Sequence, residues 1–567
     1  MPPGGAAHGV LLGEPVERGL GRARRRPDDQ HDGDAEPHEH GQHGTAPQQV
    51  VARREEEVDA LRLLGRSLYQ HISTFPRRPG SVKTRRAPRR PAPCMRGLSC
   101  TSHRRPTRVR CAGLMTLAPP APDQRAWLDL LTAPEAGELL AVALGADGAS
   151  LDTWRVHQVH ARPGAEVTVG YDVVARRALA ARPDAAAATV DAAEYLLATT
   201  APLSPDAAGP GVVRLADGPR VVHVWRHPAD PMLPGLAAAC DAGELTRRLA
   251  ASGALVPGEA VESVMMVAYR PLRRAVLRAR TSARTVYVKV VRPDRARALV
   301  RRHDLFRSTT VSAPRCLAWD DDGVVVLEEA RGPSLAQHLA ALDPDDQPGA
   351  IDPRELLRAL DALPARATTL RRRPAWAERI EHYAASALAV HGLDADRVDR
   401  VARAVRTAVT TRDPGPVVAT HGDFYEANVL LDVPAAPGDP ASRGRARVGV
   451  LLDVDTLGPG RRVDDLACLV AHLAVLPTLA PATYGGVGAL VDRCLAVFDE
   501  RVDPAALRAR AAGVVLSLTT GAASRDLADA WLRVAEELLD AALGTVADEL
   551  VPVPESTLIG ASSASHG

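Results

Sequence analysis

Aromatic residues are scarce in this 567-residue chain, at 3% of the total. That scarcity argues against the stacked-ring platforms on which single-stranded nucleic acid lies. The charges almost cancel: 70 Lys and Arg against 69 Asp and Glu leave a formal net charge of +1. No global field therefore draws the chain to nucleic acid or to a membrane surface. No run of about 18 apolar residues occurs, so no membrane-spanning helix is expected. The opening Met1-Pro2-Pro3-Gly4-Gly5 lacks the basic and apolar stretches of a secretory signal. The cysteines at 94, 100, 111, 240, 316, 468 and 494 are odd in number and unpatterned in spacing. They read as reduced thiols of a cytoplasmic protein, not as a disulfide framework or a zinc site. Lysine is also scarce, and arginine supplies most of the positive charge.

Length alone allows about two to four domains. Residues 1–114 are rich in Arg, Pro, Gly and His and poor in large apolar side chains. Such a segment cannot bury enough surface to offset its ordering entropy, so a disordered tail is expected. Val58, Leu61, Leu64, Leu68 and Ile72 could line one face of a short helix within it. Met115 stands just before the first sustained apolar pattern and is the expected start of the folded protein. Residues 115–250 read as an α/β region, with a helix over 126–144, strands over 154–174 around the turn Arg162-Pro163-Gly164, and a strand over 221–225. Residues 251–332 read as a small β-rich lobe, with strands over 261–269, 275–280, 285–291 and 324–327 and a helix over 295–306. Residues 333–550 carry a mostly helical Ala/Leu/Arg periodicity, interrupted by strand pairs near Asn428 and Asp453. Residues 551–567 are expected to form a second disordered tail. The fold class is therefore α+β: a β-rich lobe, then a helical lobe.

Against this background the segment Thr420-His421-Gly422-Asp423-Phe424-Tyr425-Glu426-Ala427-Asn428-Val429-Leu430-Leu431-Asp432 stands out, followed by Val450-Leu451-Leu452-Asp453-Val454-Asp455. Phosphoryl transfer asks little covalent chemistry of a protein. It needs an oriented acceptor hydroxyl and magnesium held against the phosphates. Asp423 can accept the hydroxyl proton. Asn428 offers a neutral oxygen to the metal, and Asp453 a charged one, the ligand type magnesium prefers. Asp455 is a further candidate for the metal or the acceptor. Lys289, in the alternating strand Val286-Tyr287-Val288-Lys289-Val290, is a candidate phosphate ligand. The turn Tyr269-Arg270-Pro271-Leu272-Arg273-Arg274 contains no glycine. Arginine contacts to phosphate fit it better than a backbone cradle does.

At these residues the chain resembles the aminoglycoside phosphotransferase and choline kinase superfamily, relatives of protein kinases. The pattern is H-G-D-x-x-x-x-N over His421 to Asn428, then Leu452-Asp453-Val454-Asp455, a glycine turn at Gly458-Pro459-Gly460, and Asp465-Leu466-Ala467. The gap between Asn428 and Asp453 is long and is expected to hold a hairpin insertion over 433–444. The resemblance covers residues 255 to 545 and implies a protein-kinase-like bilobal fold that uses ATP and Mg2+. It implies that Lys289 meets the α/β-phosphates and pairs with an acid on the following helix, for which Asp304 is the candidate by spacing. Leu327 to Gly332 would be the hinge against adenine, making Glu329 and Arg331 candidate nucleotide contacts. His421 would support the catalytic loop and Asp465 would brace it. The region ahead of the β lobe looks like the cap of maltokinase-like sugar kinases. The implied activity is transfer of a γ-phosphate to a hydroxyl of a sugar, amino sugar, aminoglycoside or amino alcohol. A kinase-fold binding or regulatory module without turnover is the alternative, favoured by the glycine-free turn and the absence of a helix glutamate.

Overall fold

The computed structural model describes residues 85–86, 124–161, 166–178, 189–204, 209, 211–433 and 446–549. The tails, the short helix over 58–72, the Arg162-Pro163-Gly164 turn and nearly all of the 433–444 insertion lie outside the described residues. Within the expected N-terminal tail, Arg85–Arg86 is described, pairing antiparallel with Thr153 and Trp154.

The first sheet is antiparallel. Its order is Arg85–Arg86, Ala149–Ala161, Val167–Ala178, Thr189–Thr199, Arg220–Arg226 and Val212–Asp217. Side chains alternate across a strand, so Val167, Val169, Tyr171, Val173 and Ala175 all fall on the buried face. Two helices cover that face, Gln124–Thr132 and Ala136–Gly145. The sequence reading joined them into one helix. Pro134 lacks an N–H and its ring crowds the preceding turn, so the helix breaks there. Leu131, Leu140 and Leu144 pack beneath, and the Tyr171 hydroxyl donates to the Leu131 carbonyl at 2.7 Å.

A second antiparallel sheet runs in the order Cys316–Trp319, Val324–Glu328, Thr285–Val291, Arg274–Thr281, Val261–Arg270. Its β-branched inner residues Val286, Val288 and Val290 share a core with Leu236, Leu245 and Leu249. The helices Leu236–Cys240 and Ala242–Ala251, read from sequence as part of the preceding region, therefore pack with this sheet. Pro293–Asp304 is the helix following the third strand.

The remainder is helical around one large core. Pro504–Leu518 is buried along its length after its first residue. Each fully buried Leu or Val there contributes about 1.5–3 kcal/mol. Its two arginines are paired where they enter the core: Arg508 with Asp499 at 2.8 Å, and Arg510 with Asp464 at 2.6 Å. Ala395–Thr411, Arg462–Leu479 and Arg525–Glu549 surround it. No helix among the described residues is long and apolar enough to cross a membrane.

Candidate active site

Two short ribbons build the site. Val417–Thr420 pairs with Gly458–Arg461, with Thr420 opposite Gly458. Val429–Asp432 pairs with Arg447–Leu451, with Val429 opposite Leu451. Segments 421–428 and 452–457 therefore span the same gap, side by side. The Leu452 N–H donates to the Asn428 carbonyl at 2.8 Å. His421 Nε2 donates to the Leu452 carbonyl at 2.9 Å, and the Thr456 hydroxyl donates to the His421 carbonyl at 2.7 Å. Gly422 has φ +80°, and a Cβ there would lie 3.0 Å from Thr456 Cβ. Only glycine meets both demands cheaply.

Asp465, fully buried in the first turn of Arg462–Leu479, accepts from the backbone N–H of His421 at 2.9 Å and of Gly422 at 2.7 Å. Burial pushes its pKa up to about 7 against those two donors. Burial likewise lowers the His421 pKa, which keeps its imidazole neutral near pH 7. Both residues hold the loop in shape. Asp423 is 2% exposed. The Asn428 amide donates to the Asp423 carbonyl at 3.0 Å, which leaves the Asn428 side-chain oxygen for another partner.

Asp453 adopts a left-handed backbone, φ +50°. Aspartate tolerates that region better than most residues, and such strain clusters at functional sites. Lys289 Nζ lies 2.7 Å from Asp453 Oδ1 and 2.5 Å from Asp455 Oδ1. It is one of only two lysines in the chain, the other being Lys83. Arg274 Nη1 approaches the other carboxylate oxygens at 3.5 and 3.3 Å. Burial works against charge on Asp453 and Lys289 alike. Their mutual attraction, with help from Arg274 for Asp453 and from Asp455 for Lys289, overcomes it. The Asp453 carboxyl is held far below the ordinary carboxylate range, and the Lys289 ammonium is held above its usual value. Two carboxylates with a cation between them, and Asn428 lining the same cavity as Asp453, make a donor set that suits a hard divalent cation. Among the described residues no group of three or more His, Cys, Asp or Glu is placed to hold a metal ion by itself.

These residues open onto a cavity of about 1040 Å³ lined by Lys289, Arg274, Leu327, Tyr425, Asn428 and Asp453, among others. Two expectations about its walls need correction. Asp304 does not meet Lys289. It is exposed at the end of its helix and pairs with Arg307 at 2.8 Å. One residue turns a helix by about 100°, and the inward face is Ala296, Leu299, Arg302 and His303. His303 lines the cavity in its place and donates from Nδ1 to the Pro314 carbonyl at 2.7 Å. Burial, and then the Lys289 charge, lower its pKa. Glu329 and Arg331 are both exposed and do not line the cavity. The segment is extended, so alternate residues face inward, and Glu328, Ala330 and Gly332 line the wall. Gly332, at φ +97°, abuts the Leu431 carbonyl, where a Cβ would come within 2.3 Å.

Under the loop, Glu426 Oε2 and His472 Nδ1 are 3.9 Å apart, too far for a hydrogen bond. The Tyr425 ring stacks on His472 with centroids 4.3 Å apart. Burial pushes the Glu426 carboxyl up to about 7 and the His472 imidazole down to about 3. A carboxyl raised above its unfolded value of about 4.3 destabilises the fold once ionised. The penalty is absent below that value, grows as pH rises to about 7, and is full above it. Glu426→Gln is therefore expected to stabilise by about 3 kcal/mol near pH 8 and by less than about 1 near pH 4.5. Denaturant unfolding at the two pH values checks this, and equal effects at both would contradict it.

Residues 271–497 match the phosphotransferase enzyme family. Comparison with the curated proteins finds none that matches. Among solved structures, the chain is similar to a microcompartment-associated aminopropanol kinase at 15% identity and TM-score 0.35, covering 54% of this chain and 98% of that one. It is similar to a spectinomycin phosphotransferase solved with ADP and spectinomycin, at 11% identity and TM-score 0.33, covering 54% and 98%. It is also similar to a macrolide 2'-phosphotransferase from Brachybacterium faecium, at 18% identity and TM-score 0.27, covering 53% and 98%. The matched residues 271–497 contain the paired loops and Lys289.

Proposed function

We propose that this protein is an ATP- and magnesium-dependent small-molecule kinase. It would move the γ-phosphate to a hydroxyl of a sugar, amino sugar, aminoglycoside or amino alcohol. The observation that carries the reading is the adjacency of segments 421–428 and 452–457, with Lys289 Nζ 2.7 and 2.5 Å from Asp453 and Asp455. Asp423 orients the acceptor hydroxyl and takes its proton. The acceptor oxygen bonds to the γ-phosphorus as the bond from that phosphorus to the β–γ bridging oxygen breaks, and ADP leaves. Lys289 holds the α/β-phosphates. Asn428 and Asp453, assisted by Asp455, would hold magnesium, which would supply charge neutralisation to the phosphates. The hinge around Ala330 and Gly332 meets adenine through its backbone. ATP as donor fits a cytoplasmic setting.

The glycine-free turn, and a helix whose Asp304 pairs with Arg307 and not with Lys289, favour the second reading, a kinase-fold binding or regulatory module without turnover. The retained Asp423 speaks against it. Calorimetric titration of the full chain with AMP-PNP, with and without magnesium, tests the kinase reading. Binding that requires magnesium is expected. Binding indifferent to magnesium, or no binding, contradicts the kinase reading.

A further inference from the structure

The turn from Arg270 to Arg274 covers the cleft without glycine, and its shape is imposed from outside the hairpin. Leu272 has φ +62°, a left-handed conformation that a leucine adopts only under constraint. Its side chain is 3% exposed and packs with Leu197, Ala201 and Trp225 of the preceding region. Asp230, itself 3% exposed, gathers the turn's donors. Its Oδ2 accepts from the Leu272 N–H at 2.8 Å and from the Tyr269 hydroxyl at 2.7 Å. Its Oδ1 accepts from the Met232 N–H at 2.9 Å. Arg292 Nε donates to the Leu272 carbonyl at 2.7 Å, and Arg273 pairs with Glu166 at 3.0 Å. What this clamp presents to the cleft is Arg274, which ends the turn.

Arg274 and Lys289 divide the oxygens of Asp453 and Asp455 between them. Lys289 takes Oδ1 of each and Arg274 approaches Oδ2 of each. Lys289 is the deeper of the two, its side chain 7% exposed against 23% for Arg274. Metal ligation by these carboxylates would turn both cations toward the anions that arrive with the metal. With Lys289 at the α/β-phosphates in the reading above, the cation nearer the mouth is the one left for the γ end. A planar guanidinium can grip two phosphoryl oxygens at once.

We propose that Arg274 is a further catalytic residue, contacting the γ-phosphoryl group during transfer, and that Asp230 and Leu272 are positioning residues that aim it. The inference rests on the kinase reading above. Arg274 keeps its proton throughout: the acceptor proton goes to Asp423, and the guanidinium only offsets charge on the transferring group. The fixed framework of the preceding region stands in for the adaptable backbone of a glycine-rich loop.

The test compares two probes on the full chain by calorimetry, Mg·ADP and Mg·AMP-PNP, with circular dichroism as the folding control. Arg274→Ala is expected to bind Mg·ADP nearly as wild type does and to lose on the order of 10- to 100-fold for Mg·AMP-PNP. Arg274→Lys should recover part of that loss. Leu272→Ala and Asp230→Asn should lose affinity in the same direction by a smaller factor. If Asp230→Asn fails to fold, Tyr269→Phe replaces it, removing one donor to the same oxygen. Equal losses for both probes, or none for either, would overturn the role of Arg274. A selective loss in Arg274→Ala with none in the clamp variants would overturn the positioning half. Wild type that binds neither probe would instead overturn the kinase reading itself.

Discussion

Asp423→Asn is expected to lower γ-phosphate transfer by about 10²–10⁴-fold while magnesium-nucleotide affinity stays at the wild-type value. The substitution keeps the shape of the side chain and removes its ability to take a proton. Asp423 is 2% exposed and its loop is fixed at both ends, by Asp465 on the N–H groups of His421 and Gly422 and by the Asn428 amide on its own carbonyl. Those bonds involve backbone groups of residues 421 to 423, which the substitution leaves in place. The loop should therefore persist, and the defect should fall on turnover. Steady-state transfer to the best acceptor, alongside calorimetric binding, checks both halves. Unchanged turnover would remove Asp423 from the mechanism.

Asp453→Ala is expected to abolish the magnesium dependence of nucleotide binding, and Asn428→Ala to weaken it less. Asp453 supplies a full negative charge to a hard cation, while Asn428 supplies a carbonyl dipole. Asp453 also partners Lys289 at 2.7 Å. Removing it leaves a deeply buried ammonium with Asp455 as its remaining carboxylate partner in the cleft. Breaking one side of such a pair costs about 3–5 kcal/mol, so Asp453→Ala should also lose thermal stability. Asp453→Asn keeps the side-chain shape and removes the charge alone, so both losses should persist in it. An Asp453→Ala protein that binds Mg·AMP-PNP as wild type does would place the metal elsewhere.

The two loops of the candidate site were legible because their information is local. His421 to Asn428 and Leu452 to Asp455 each carry their candidate residues within one loop, bounded by apolar strands that place the loops without further help. Lys289 was legible because strand alternation states which way it points. The helix partner was not. Spacing led to Asp304, but the helix phase is set by Ala296, Leu299 and His303, and two buried polar residues, Arg302 and His303, disguise that face. Reading those three positions as one stripe could have found His303. Within the hinge, Glu329 and Arg331 miss the cavity for a related reason. Charge drew attention to Glu329 and Arg331, while the period of an extended chain turned Glu328 and Ala330 inward. The contact between Asp230 and Leu272 spans 42 residues and involves a left-handed leucine, and no local pattern signals either feature. Pro134 was readable as a helix break and was passed over under the apolar periodicity around it.

The most direct measurement of the central claim is transfer of label from γ-phosphate-labelled ATP, with magnesium, to a panel of sugars, amino sugars, aminoglycosides and amino alcohols. Wild type and Asp423→Asn are run in parallel. The account expects a labelled phosphomonoester of at least one hydroxyl acceptor with wild type, reduced by about 10²-fold or more with Asp423→Asn. Label transfer that persists undiminished in Asp423→Asn, or a wild-type protein that binds magnesium-ATP and labels no acceptor in the panel, would contradict it.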